Sequence, residues 1–281
     1  MKVYLSVDME GISGVVHGEE LTAGSASWQA ARQWMTDDVL AAIEGATAAG
    51  ATEFLVVDGH AGMRNLLFDQ LPASAVAHRG PAAGRTMCQV EGLDDSFDCM
   101  LLVGYHSMAG SDGLLSHTWH GGVVGQMRLD GVPIGETAIN SSVAAHHGVP
   151  VVLATGDQYL AAEAERFVPG ITTVTVKETT GRQNARCLPL PTTRPMIRDA
   201  AERAVASAGT SALALRTATG PVVVEIDTLS HRQADRIERF VDVERADIRT
   251  VRITADDVPS AFATAWLAVE VADFEAGDWN R

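Results

Sequence analysis

The chain reads as an α/β protein: a mainly parallel sheet flanked by helices, followed by a smaller C-terminal α/β part. Three observations predict this. Apolar runs at residues 3–7, 54–57, 100–103 and 151–154 are too short for helices and read as buried strands. A long segment with helical spacing separates the first two, as a right-handed βαβ unit requires. Each run also breaks off in glycine, acid or histidine, the pattern of strand ends that feed a ligand edge.

The elements follow in order. After the strand at 3–7, Gly11-Ile12-Ser13-Gly14 reads as a turn, and an irregular stretch continues to about Ser27. A helix is expected over 27–49, where Trp28, Ala31, Met35, Val39, Ala42 and Ala46 recur at three to four residues. Gly50 is placed to close it in a left-handed cap. The strand at 54–57 ends in Asp58-Gly59-His60; a short strand at 76–78 precedes a loop over 79–84. The strand at 100–103 ends in Gly104-Tyr105-His106 and leads into a Gly/Ser/His-rich segment, 107–125. Loops of that length usually carry function. Asp130-Gly131, between Met127-Arg128-Leu129 and Val132-Pro133-Ile134, signals a type I′ hairpin whose second arm enters Gly135-Glu136.

A helix over 137–147 is closed by Gly148 and Pro150, and the strand at 151–154 ends in Thr155-Gly156-Asp157. A helix over 161–167 follows. Beyond residue 172 the polar, proline-rich segments 177–183 and 188–195 read as connections to a helix over 196–208. Strands are expected at 221–227 and 248–253, and Asp256-Asp257 opens an alanine-rich helix to about 275. The organisation is two domains, 1–175 and 176–281.

Composition narrows the function. With 281 residues and 46% apolar content the chain can bury a sizeable core. A net charge of −15 argues against a nucleic-acid surface, which needs a basic patch. No apolar run reaches the roughly 18 residues of a membrane span, and no signal-peptide layout opens the chain. Cys88, Cys99 and Cys187 lack C-x-x-C spacing and read as reduced thiols, so a cytoplasmic location is expected.

Chemistry concentrates at the strand ends. Asp8 and Glu10 lie two apart, so in an extended segment they share a face, and two such acids are costly to bury without a compensating cation or proton. Asp58 with His60, then His106, Glu136 and Asp157, occupy matching positions, all converging on one edge of a parallel sheet. A mixed imidazole and carboxylate set suits two adjacent divalent metals; a structural zinc would more often use cysteine. Each residue also has a plainer role open to it. Asp58 and Asp157 fit turns or caps, His106 a core position, and Glu136 a helix start favoured by the macrodipole.

Ser6-x-Asp8-x-Glu10-Gly11, Glu91-Gly92-Leu93-Asp94-Asp95, Gly104-Tyr105-His106, Ser116-His117 and Gly135-Glu136, in this order, resemble the zinc D-aminopeptidases associated with bacterial dipeptide transport. The resemblance is close over about the first 180 residues. It implies two zinc ions per subunit, with Asp8 bridging them, Glu10 and His60 on one, and His106 and Glu136 on the other. His117 matches the family's catalytic histidine, with His120 its rival on the same loop. It further implies a homo-oligomer, a decamer of two stacked pentamers, acting on short peptides with a free amino terminus, D-aminoacyl peptides foremost. On this reading domain 1–175 is catalytic and metal-binding, and 176–281 shapes the cleft and oligomer contacts. The rival readings are another metal-dependent amidohydrolase or an L-aminopeptidase on the same scaffold, then a metallophosphoesterase or a non-catalytic peptide- or metal-binding oligomer.

Overall fold

A computed structural model describes residues 1–81, 84–209 and 220–273. Its first sheet contains the expected βαβ unit. Strand β1 (Lys2–Val7) leads through helix α1 (Ala26–Ala48) to β2 (Glu53–Asp58), parallel to β1 and in register Val3 with Phe54. Ser25 caps α1 by accepting from the Trp28 amide, and Gly50, at φ +97°, follows its end. Strand β3 (Ala75–His78) extends one edge, while β4 (Cys99–Val103) pairs with the other side of β1. Strand order therefore reverses at β1, the crevice where open α/β sheets bind ligands.

A hairpin, β5 (Val124–Leu129) and β6 (Val132–Ile134), turns at Asp130 and Gly131, both at positive φ as a type I′ turn requires. It hands the chain to helix α2 (Glu136–His146), strand β7 (Val151–Asp157) and helix α3 (Gln158–Phe167). Next come β8 (Thr172–Gly181), β9 (Asn184–Cys187) and helix α4 (Leu190–Ser207). The first sheet has the order β3-β2-β1-β4-β7-β8-β9.

The remainder is β10 (Val222–Thr228), helix α5 (His231–Ile237), β11 (Val243–Arg245), β12 (Thr250–Ala255) and helix α6 (Val258–Ala272). These strands build an antiparallel second sheet, β11-β12-β10-β5-β6. The expected end of the last helix at Glu275 lies outside the described residues, as do Ala82 and Ala83 of the 79–84 loop.

Several elements differ from the sequence expectation. Residues 177–183, read as a polar connection, instead end β8 and turn into β9, because Val174, Val176 and Lys177 are buried despite the many threonines around them. Helix α4 starts at Leu190 rather than Met196: Pro191 fits its first turn, and the helix also carries Pro195 inside. Helix α5 and strand β11 were not expected, being too short to show a period. The domain boundary expected at 175/176 falls inside β8, and the β5–β6 hairpin of the first segment joins the second sheet.

Alternation along β1 sorts the core. Val3, Leu5 and Val7 pack with Val39 of α1 and Ile197 of α4, while Tyr4 faces the cluster shared with the second sheet and α6. Ser6 and Asp8 continue the Tyr4 side, which aims Asp8 between the two sheets. There the ends of β1 and β4 nearly touch, and a Cβ on Gly11 would lie 1.9 Å from the Tyr105 carbonyl oxygen. The turn after β1 is held from below: Lys177 Nζ donates to the carbonyls of Glu10, Ile12 and Val15, and Asp38 accepts from the Ser13 amide.

Asp38 gives a stability prediction. It is fully buried, one of its oxygens has no partner, and burial pushes its carboxyl up to about 6 from 3.8. Between those values the folded state binds more protons than the unfolded, so stability falls as pH rises from about 4 through 6. Asp38→Asn keeps an acceptor for Ser13 and removes that penalty. It should be more stable than wild type at pH 8 by up to about 3 kcal/mol, with the gain gone near pH 4; urea melts across that range check this.

Candidate metal centre

The strand-end acids and histidines do meet. Asp8 and Glu10 follow β1, His60 follows β2, His106 follows β4, and Glu136 is the first residue of α2. His60 Nδ1 lies 3.0 Å from Glu10 Oε2 and 3.5 Å from Asp8 Oδ1. His106 Nε2 lies 3.3 Å from Asp8 Oδ2 and 3.4 Å from Glu136 Oε1. Asp8 thus stands between two histidine and carboxylate pairs, one oxygen towards each. All five residues are buried.

His117 joins them from the long loop. Its Nε2 is 3.9 Å from Glu10 Oε1, and its ring stacks on His106 with centroids 4.1 Å apart. Its side chain is 22% exposed where the other five are 9% or less, so it is the member reachable from the cleft. Nδ1 contacts the Leu115 carbonyl at 2.8 Å and His106 Nδ1 the Ser107 carbonyl at 3.0 Å. Each bond fixes Nδ1 as the protonated nitrogen and leaves Nε2 turned to the acids.

The residues present fit a divalent metal. Among the described residues, three trios of ligand atoms lie within 4.8 Å of one another: Asp8, Glu10 and His60; Asp8, His106 and Glu136; Glu10, His106 and His117. His106 Nε2 is buried with no hydrogen-bond partner although two carboxylates are near, an orphaned position that a cation shared with those acids would fill. Burial disfavours charge on Glu10, His60, His106 and Glu136, yet mutual attraction overrides it. His60 and His106 are held well above the usual imidazole range by Glu10, Glu136 and Asp8, while Glu10 is held well below the carboxylate range, chiefly by His60. A pocket that draws protons this strongly offers the same carboxylates to a cation, which competes with those protons. Imidazole with carboxylate is a zinc-type donor set.

The other candidates serve structure. Asp58 accepts from the backbone of Asn65 and Leu66 and from the Asn65 side chain; Asp157 caps α3 and also accepts from Leu114 and Thr179. His120 points away, 3.3 Å from Asp273, and Asp94 accepts from Ser96 in a turn.

Sequence reasoning missed the scaffold of Glu136. Gln89 donates to one of its oxygens and the Trp119 amide to the other, at 2.6 Å. Asn140, one helical turn past Glu136, donates to Gln89 and to the Tyr105 hydroxyl, which meets Ser6 Oγ. This buried network orients the carboxylate, as outer partners of metal ligands do. Only Asn140 had a signal, its one-turn spacing from Glu136; Gln89 lies in an irregular segment with none. Lys177 was hidden likewise, in a stretch read as a connection.

Comparison with known proteins accords with this geometry. The D-aminopeptidase family model matches residues 1–267. A D-aminopeptidase of Bacillus subtilis (strain 168) is 39% identical over 188 residues, 67% of this chain and 68% of that one. A solved structure, the Zn-dependent D-aminopeptidase DppA from Bacillus subtilis, described as a self-compartmentalizing protease, has a TM-score of 0.93 and 31% identity. The match covers 99% of this chain and 100% of that one.

Proposed function

The chain belongs to the D-aminopeptidase family, and from that premise we propose that it is a binuclear zinc aminopeptidase releasing the amino-terminal residue of short D-aminoacyl peptides. One observation carries the two-metal reading: Asp8 directs its two oxygens to two separate histidine and carboxylate pairs. Asp8, Glu10 and His60 would hold one ion, and Asp8, His106 and Glu136 the other. Zinc, when bound, polarises a peptide carbonyl and acidifies a water.

The chain's own residues do the rest. His117 Nε2, held towards the centre by the bond at Nδ1, moves the proton: it accepts one as the water attacks and returns it to the leaving amine. Gln89 and the Trp119 amide keep Glu136 from rotating, so the acid presents one oxygen throughout. Lys177 fixes the backbone of Glu10, and the tight crossing at Gly11 and Gly104 sets the spacing of Asp8 from His106. The reading extends to a cytoplasmic ring-shaped homo-oligomer, a decamer of two stacked pentamers, supported by the self-compartmentalizing description of the solved relative.

The test is release of alanine from D-Ala-D-Ala and L-Ala-L-Ala, each with zinc and with chelator. Zinc-dependent turnover of the D-dipeptide alone is expected. Turnover of only the L-dipeptide would overturn the stereochemistry, and turnover that survives complete chelation would overturn the metal reading.

A further inference from the structure

Next to the metal centre lies a cavity of about 240 Å³ that the proposed chemistry does not use. It shares a wall with the centre: Gln89 and Trp119 line it, and these two residues hold Glu136. Its backbone is unusual. Six described non-glycine residues have positive φ, and four of them, Ala61, Met63, Cys88 and Trp119, line this one cavity from three separate loops. Left-handed backbone at such residues costs energy and clusters where a ligand is shaped for.

The opposite wall is one face of α6. Trp266, Val269, Glu270 and Asp273 recur at helical spacing, and Trp119 packs edge-on to Trp266 with centroids 5.5 Å apart. Asp273 is matched by His120 at 3.3 Å. Glu270 has no hydrogen bond or ion pair among the described residues, and partial burial raises its carboxyl from the ordinary value. An apolar, tryptophan-sided chamber with one unmatched carboxylate is complementary to an alkyl stem that ends in a cation.

We infer that this cavity receives the side chain of the substrate's amino-terminal residue and that Glu270 selects basic side chains, D-lysyl or D-ornithyl, over neutral ones of equal length. This rests on the aminopeptidase reading for the placement of the substrate, while the cavity's preference for a cation is measurable without turnover.

The probes are D-lysinol and D-norleucinol, which share the α-ammonium and the stem, differ in the terminal charge, and have no bond to cleave. Titrated into the zinc-loaded protein, they are read by tryptophan fluorescence, since Trp119 and Trp266 wall the cavity. At low salt D-lysinol should bind about fivefold more tightly, the size of a half-exposed ion pair. Glu270→Gln should erase that difference and leave D-norleucinol binding unchanged, which also reports an intact fold. Glu270→Lys should reverse the order.

Equal binding of the two probes by wild type, or a preference that survives Glu270→Gln, overturns the inference. Failure to cleave D-Ala-D-Ala would remove the peptidase reading instead, and the fluorescence preference would stand or fall separately.

Discussion

Replacing His117 with alanine should lower kcat/KM for D-Ala-D-Ala by about 10²- to 10⁴-fold, the range for loss of a positioned proton carrier. Zinc content should stay at the wild-type level. The second half matters more, because His117 also forms a ligand-like trio with Glu10 and His106. A ligand and a proton carrier predict the same loss of rate but opposite metal contents. The structure favours the carrier: Nε2 is 3.9 Å from its nearest acid, whereas the imidazole atoms facing acids in His60 and His106 lie within 3.5 Å of theirs. Zinc measured by atomic absorption on the variant, beside its turnover, decides between the two.

Asp8→Asn should lower rate and metal content together. Asp8 belongs to two of the three ligand trios and places one oxygen near each of two histidines. Asparagine keeps the shape but loses the charge and one acceptor, so on the binuclear reading both positions are weakened together. The expected result is a fall in kcat/KM of about a thousandfold or more, matching the several kcal/mol a bound cation supplies. Bound zinc should fall below the wild-type stoichiometry. Retained zinc with retained activity would place the metal elsewhere.

How much was legible in the sequence follows from which residues act through local pattern. Asp8, Glu10, His60, His106 and Glu136 stand at the ends of strong apolar runs or at the start of a well-marked helix, and a parallel sheet gathers such ends at one edge. A plainer role stood beside each of them, and it is packing, not local pattern, that brings these five together. Asp58 and Asp157 have the same local grammar as Asp8 yet spend their oxygens on backbone amides. The His117 loop showed itself by length and composition, but its distinction from His120 came from the family motif.

What stayed hidden depends on long-range packing. Gln89 reaches Glu136 across 47 residues, and Lys177 reaches the carbonyl of Glu10 across 167. No periodicity encodes such contacts. The exchange of strands between the two parts is of the same kind: the β5–β6 hairpin was legible as a hairpin, but its partner β10 lies nearly a hundred residues on, in register Arg128 with Glu225.

The measurement that tests the central claim most directly is a zinc titration of the chelated protein, following D-Ala-D-Ala hydrolysis against equivalents added per subunit. No turnover is expected without metal, followed by a rise that ends at two equivalents. A plateau at one equivalent would contradict the binuclear centre, and full activity in the chelated protein would contradict the metal centre altogether.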